Sequence, residues 1–238
     1  MKGKIRWCLV LILSQLAASY HIEKLFRGMP FPISVADYVV TSGENWNAGL
    51  VLGNLFLFIL LHTIKDDFRT TIIVRHTSWS QIAAEQAKRL LFVTIWTSTL
   101  SVFSVLVYGV VRGIPWNNWN SGNSYFQFTY GTPVRSICLL EIIINQILSE
   151  TVIFTIIGLF GLIVLWMNHR AIYAFLILNA IWAMELCLSM RIFHNLLRVR
   201  QEMWVQPYWF IIRIGYAGIL LLIEIMTLRY LVRHHEHI

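Results

Sequence analysis

The chain has 238 residues and a formal charge of +7, and 57% of its residues are hydrophobic while only 13% are charged. A soluble domain carries about 25% charged residues, so the composition excludes a soluble protein and indicates an integral membrane protein. The basic residues lie at the ends of apolar runs, which favours anchoring beside anionic lipid over binding to nucleic acid. The three cysteines are odd in number and form no CxxC pair, so neither a disulfide framework nor a zinc site is predicted.

The first apolar runs predict two membrane spans separated by an outer segment. Lys2, Lys4 and Arg6 precede the first run, which we interpret as a span over residues 7–26. The alternative is a secretory signal peptide, because a basic start, a short apolar core and small residues also describe that signal. Prolines and glycines between residues 21 and 47 predict no long helix there. The second span is expected over residues 48–64.

The remaining runs predict four more spans, at residues 90–111, 149–167, 171–190 and 208–232. Residues 136–167 are too many for one upright helix. The half before the fourth span carries a polar stripe and is expected either to lie in the outer interface or to face the interior of the bundle. The basic segments 1–6, 65–89, 168–170 and 233–238 then fall on one side, which predicts that both termini are cytoplasmic. The predicted fold is an all-α, polytopic membrane protein of six transmembrane helices in a single domain.

A polar segment at residues 65–89 separates spans two and three. Ser78-x-x-Gln81 has the pattern of a capping box and predicts a helix start. Trp79, Ile82 and Gln86 then share one helical face. We interpret residues 77–89 as an amphipathic helix at the cytoplasmic membrane surface. It is either an ordinary interfacial loop helix or a docking element for a partner.

This arrangement resembles the permease subunit of an ABC-2-type transporter. After its second span, that family has an acidic residue, a Thr, a hydrophobic run, a small turn and a short helix ending in Lys. The matching positions here are Asp66/Asp67, Thr70/Thr71, residues 72–74, residues 75–78, Ile82 and Lys88. The usual Pro of the turn is absent, and His76-Thr77 stands in its place. That departure leaves the edge of the coupling helix open.

The resemblance implies that the chain works with a separate ABC ATPase subunit and a second permease chain. No GxxxxGK[ST] motif is present, so ATP and Mg²⁺ are expected on the ATPase and no cofactor on this chain. A helix-in-groove contact would use Trp79 and Ile82 as apolar anchors. The residues predicted to couple to the ATPase are Asp66, Asp67, Trp79, Ile82, Glu85, Lys88 and Arg89. The implied function is movement of an amphipathic peptide, lipid or antibiotic across a bacterial plasma membrane.

Polar side chains inside the apolar runs are candidates for a substrate path, because ionisable groups in spans are costly. Glu185 and Arg213 are expected at equal depth, where they would form an ion pair, either structural or in contact with substrate. The candidate path residues are Glu141, Asn145, Glu150, Asn179, Glu185, Arg213 and Glu224. The alternatives need no ATPase: a secondary transporter, an immunity protein or an intramembrane enzyme. The spans offer no cluster of catalytic groups and no clear internal repeat, which disfavours the enzyme and the secondary transporter.

Overall fold

The computed structural model describes residues 2–64, 67, 78–131, 137–168, 170–188 and 194–236. Every regular element in these ranges is a helix, which confirms the all-α prediction. In chain order they are α1 (Lys2–Phe26), α2 (Val35–Ser42), a π-helix (Asn45–Gly53), α3 (Asn54–Ile64), α4 (Trp79–Val111), α5 (Tyr125–Tyr130), α6 (Leu139–Asn168), α7 (Ala171–Cys187), α8 (His194–Leu197), α9 (Glu202–Val205) and α10 (Tyr208–Glu236).

Five helical segments in the described ranges are long and apolar enough to cross a membrane. They are Arg6–Phe26, Trp46–Ile64, Trp79–Val111, Leu139–Asn168 and Tyr208–His234. The chain is therefore a multi-pass membrane protein. The helix at the predicted fifth span, α7, is apolar but has only 17 residues and falls short of that length.

Two long helices run on where the sequence suggested breaks. α4 is one helix of 33 residues, so the predicted helix at 77–89 is not separated from the predicted span at 90–111. α6 is one helix of 30 residues where two pieces were expected. Neither stretch contains a proline, and strong helix formers such as Leu, Gln, Lys and Arg dominate the first turns of α4. The residues on both sides of each predicted boundary favour a helix, although the polarity of the sequence changes there.

The segment between the first two spans contains a short, buried helix that the sequence did not predict. α2 begins after Ser34, whose backbone N–H donates to Asp37 Oδ2 at 2.9 Å. This bond is one half of a capping box. The helix ends at Gly43, so the prolines and glycines do limit helix length as expected. Most residues of α2 are buried against neighbouring helices.

The bundle has two distinct ends. At the end called here the charged end, the Trp7 ring lies 5.2 Å from Phe58 and 6.2 Å from His62. Arg89 and Asp67 meet at the same end. At the opposite end, called the loop end, α2 packs with Trp119 and Phe126 in a small apolar core. The larger core lies between α3, α4 and α6.

Candidate functional site

Five polar residues form a buried group, called here the core polar cluster: Gln15, Asn47, Ser101, Gln146 and Glu150. They come from α1, the π-helix, α4 and α6. Gln15 Nε2 donates to Asn47 Oδ1 at 3.3 Å, and Asn47 Nδ2 donates back to Gln15 Oε1 at 3.2 Å. The Ser101 hydroxyl donates to Gln15 Oε1 at 3.5 Å. Amide pairs of this kind join membrane helices because hydrocarbon offers no alternative partner.

Glu150 is the acidic member of the core polar cluster and is only 2% exposed. Its Oε1 accepts a hydrogen bond from Gln146 Nε2 at 2.9 Å, and the Ser101 side chain, whose hydroxyl donates to Gln15 Oε1, lies nearby. Gln146 packs directly on Gly43, where an added Cβ would lie 2.4 Å from Nε2. A larger residue at position 43 would therefore displace the Gln146 amide from its present position.

A second polar node lies at the loop end, where Asp37 accepts four hydrogen bonds. Oδ1 accepts from Trp119 Nε1 and from Gln201 Nε2, both at 2.7 Å. Oδ2 accepts from the backbone N–H of Ser34 at 2.9 Å and from its hydroxyl at 2.8 Å. Burial raises the pKa of the Asp37 carboxyl, and the four hydrogen bonds oppose that rise. The node ties α2 to the loop after α4 and to the turn before α9.

The charged end is held by contacts between α4 and its neighbours. Arg89 Nη1 donates to Asp67 Oδ1 at 2.8 Å and to the Thr63 carbonyl at 3.1 Å. Trp166 Nε1 donates to Gln86 Oε1 at 2.9 Å. The first turns of α4 are thereby fastened to the end of α3 on one side and to α6 on the other.

The predicted ATPase-coupling residues are divided between the protein interior and its surface. Ile82 is buried in the core, and the Trp79 ring packs on Trp166 at 5.8 Å, so both predicted anchors contact the chain's own helices. Asp67 is paired with Arg89. Lys88 and Glu85 form an exposed ion pair at 2.8 Å. Asp66 lies outside the described residues.

The predicted path residues do not come together. Glu141 is exposed, and Asn145 donates to the Glu141 backbone carbonyl at 3.0 Å. Asn179 of α7 forms two reciprocal hydrogen bonds with Asn54 of α3, at 2.8 and 2.9 Å. Of the seven candidates, only Glu150 belongs to the core polar cluster.

The expected ion pair between Glu185 and Arg213 is not formed. The buried Glu185 carboxylate instead accepts from the backbone N–H of His194 at 3.1 Å, at the start of α8. The Arg213 guanidinium lies over the Phe210 ring, 5.2 Å from its centroid. Glu224 is half-buried on the face of α10 that packs on the bundle. Two residues that are predicted at the same depth in the membrane do not necessarily lie on the sides of their helices that face each other.

His194 is buried at the loop end, and neither ring nitrogen has a hydrogen-bond partner among the described residues. Burial, together with the nearby Arg198, lowers the pKa of His194 to about 3. The ring is therefore neutral at physiological pH. No group of three or more His, Cys, Asp or Glu side chains suited to a metal ion occurs in the described ranges.

Sequence reasoning missed Gln15, Asn47, Ser101 and Gln146, and it missed Asp37 at the loop end. Two signals were available. Gln146 stands four residues before Glu150, so both share one helical face, and Asp37 stands three residues after Ser34 in a capping-box pattern. Nothing in the sequence showed that Gln15 and Asn47, which are 32 positions apart, would pair.

Comparison with known proteins gives no relative: no protein-family model, no curated protein and no solved structure matches the chain. The arguments for function below therefore rest on the sequence pattern and on the geometry of this bundle.

Proposed function

We propose that the chain is the membrane-spanning permease subunit of an ATP-driven transporter of the ABC-2 type, with ATP hydrolysed by a separate subunit. The observation that carries this proposal is the length of α4. About 20 helical residues cover the hydrocarbon core of a bilayer, so about 13 of its 33 residues extend beyond it. The charged residues Glu85, Lys88 and Arg89 identify the N-terminal turns as the part outside the membrane.

The extending part of α4 has one exposed face and one packed face. Ser80, Gln81, Ala84 and Lys88 are exposed, at the spacing of a single helical face. Ile82 and Gln86 face the bundle and are buried. An exposed polar face with a small residue at its centre suits contact with the polar surface of a soluble partner. This face replaces the Trp79 and Ile82 anchors that the sequence suggested.

A partner bound to this face would act on the bundle through three fixed contacts. Arg89 connects α4 to Asp67 and to the last turn of α3, and Gln86 connects it to Trp166 of α6. Because α4 continues without a break to Val111, a displacement of its first turns is transmitted along its whole length. Rigid helices with discrete contacts are the elements that carry such coupling.

The proposed transport cycle is the one that the resemblance to ABC-2 permeases implies. Nucleotide binding to the ATPase pair, which holds ATP and Mg²⁺, would move the α4 ends of two permease chains and rock the helices between two states. The substrate class is amphipathic, such as a peptide, a lipid or an antibiotic, and the location is a bacterial plasma membrane with both termini in the cytoplasm. Six spans would require α7 to cross the membrane despite its 17 residues.

The test is co-purification of the chain with the products of its neighbouring genes in mild detergent. We expect an ATPase chain to co-purify with the native protein and to be lost with Ala84→Arg, which places a large cation at the centre of the exposed face. Asn123→Arg, at an exposed site of the loop end, is the matched control and should retain the ATPase. Absence of any ATPase from the native preparation would sink the proposal and favour an ATPase-independent role.

A further inference from the structure

Two buried oxygen atoms on consecutive turns of α6 have no hydrogen-bond partner among the described residues. They are Glu150 Oε2 and Gln146 Oε1. The other polar atom of each side chain is engaged, since Gln146 Nε2 donates to Glu150 Oε1 at 2.9 Å. Each group therefore uses one of its two polar atoms and leaves an acceptor unsatisfied. An unsatisfied buried acceptor destabilises the folded state, because it has lost its hydrogen bonds to water without replacement.

Among the residues that the structure describes, no cation pairs with Glu150. Its neighbours on other elements, Ser101 and through it Gln15 and Asn47, are uncharged. The other charged or titratable groups of the described elements around α6 do not pair with Glu150. Glu44 pairs with Arg198 at 3.7 Å, Asp37 binds its four donors, and Glu185 binds the start of α8. His194 is buried beside Leu197, and Arg213 and Glu224 lie on α10. A buried carboxylate without a countercharge is strongly destabilising, because it loses its hydration and gains no ionic partner.

One proton removes both difficulties at once. A proton on Glu150 Oε2 turns that atom from an acceptor into a donor, and the unsatisfied acceptor Gln146 Oε1 belongs to the amide that already donates to Glu150 Oε1. The two side chains can then form a mutual acid–amide pair, each donating once and accepting once. The close approach of Gln146 to Gly43 favours this smallest of cations, because the cluster is tightly packed there.

We propose that Glu150 holds a proton in the folded protein and that this proton completes a hydrogen-bonded pair with Gln146, so that the core polar cluster is a proton-binding site. The equilibrium is a simple one: the carboxylate takes one H⁺ from water and becomes the neutral acid. Loss of the proton places a negative charge where α1, α4 and α6 meet. The proposal goes beyond the proposed transport function and does not depend on an ATPase.

The first test compares the stability of the native chain and Glu150→Gln as a function of pH. An exposed glutamic acid ionises near about pH 4.3, so above that pH the folded state would bind one proton more than the unfolded state. Stability falls with rising pH wherever this holds, by about tenfold in the folding equilibrium constant for each pH unit. We therefore divide the folding equilibrium constant of the native chain by that of Glu150→Gln. This ratio is expected to fall as the pH rises, until Glu150 also ionises in the folded protein. Glu141→Gln, an exposed carboxyl on the same helix, should show no such change.

The second test is infrared spectroscopy of the native protein, which remains informative if Glu150→Gln does not fold. We expect a carboxylic-acid C=O band at neutral pH that shifts with Gln146→Leu and is absent from Glu150→Gln. Glu224→Gln, Glu185→Gln and Asp37→Asn control for the other buried or half-buried carboxyl groups. A native protein without such a band overturns the proposal. Selective stabilisation of the native chain by Na⁺ at high pH, lost in Glu150→Gln, also overturns it and assigns the site to a metal cation.

Discussion

The Asp37 node permits a sharp prediction, because its two carboxylate oxygens are both saturated by donors. Asp37→Asn keeps the size of the side chain but replaces one acceptor oxygen with an NH₂ group. Whichever way the amide turns, that group faces two donors: either Trp119 and Gln201, or the backbone N–H and hydroxyl of Ser34. The substitution therefore removes two hydrogen bonds at a site with no exposure to solvent.

The magnitude follows from the number of bonds lost. A hydrogen bond to a charged group contributes about 1.5–3 kcal/mol. The loss of two such bonds is partly offset because the amide carries no buried charge, so Asp37→Asn is expected to lower the free energy of unfolding by about 1–3 kcal/mol. The lower part of this range applies if the Ser34 hydroxyl rotates to accept from the new amide. Trp119→Phe removes one donor and leaves Gln201 on Oδ1. The smaller ring also leaves a cavity at a site that is only 1% exposed, so the cost of this variant combines the lost hydrogen bond with lost packing.

The assay is unfolding in detergent, followed by tryptophan-independent far-UV circular dichroism so that Trp119→Phe does not alter the signal. When the new NH₂ group faces Trp119, both substitutions remove the same bond and the double variant should cost less than the sum of the single variants. When it faces Ser34, the two costs should add. Asp37→Asn with native stability would refute the reasoning, because it would mean that an amide serves the four donors as well as the carboxylate does.

Two further predictions concern the loop end and the helix core. His194 has its pKa lowered to about 3 in the folded protein, so the unfolded state binds more protons between that pH and about 6.5, and stability should fall by about 2 kcal/mol from neutral pH to pH 5. His194→Leu, which keeps the backbone N–H that Glu185 accepts, should remove this dependence when pH-dependent unfolding of the two proteins is compared. In the core, an added Cβ at Gly158 would lie 2.1 Å from Leu90 Cδ1, so Gly158→Ala should cost about 1–3 kcal/mol. Gly215→Ala, which meets no atom within 4 Å, should instead be neutral or stabilising in the same unfolding assay.

The effects of Glu150 and His194 on the pH dependence of stability have opposite signs, so each must be measured with its own variant. Between about pH 4.3 and 6.5, a proton held by Glu150 in the folded state offsets a proton gained by His194 in the unfolded state. The native protein can therefore show a flat stability profile in that window. Only the difference between each single variant and the native chain separates the two contributions.

Local features of the sequence predicted local features of the fold. Ser78 is the N-cap of α4, accepting from the Gln81 backbone N–H at 3.4 Å, as the capping pattern indicated. The apolar runs correctly gave the five long segments, because burial in lipid requires continuous hydrophobicity. Helix boundaries were less accurate where a change in polarity was taken as a change in structure, as at residues 89 and 149.

The candidate site depended on information that a single sequence does not contain. Glu150 was identified as costly because it is a charge in an apolar run, and that much is visible locally. The partners Gln15 and Asn47 reach the cluster through the rotation of α1 and the π-helix about their own axes. A π-helix carries more residues per turn than an α-helix, so a period of 3.6 residues cannot place Asn47 on the correct face.

The charged end and the core polar cluster are joined by one element, α4, and this suggests how the two proposals relate. Gln86 and Arg89 fix its first turns to α6 and α3, and Ser101, about three turns further along, lies between Gln15 and Glu150. A movement imposed on the exposed face of α4 must therefore displace Ser101 relative to Glu150, because the helix between them has no break. If the cluster responds to that movement, infrared absorption of the Glu150 acid should change when the ATPase partner binds nucleotide. An unchanged band would show that the two ends of α4 act independently.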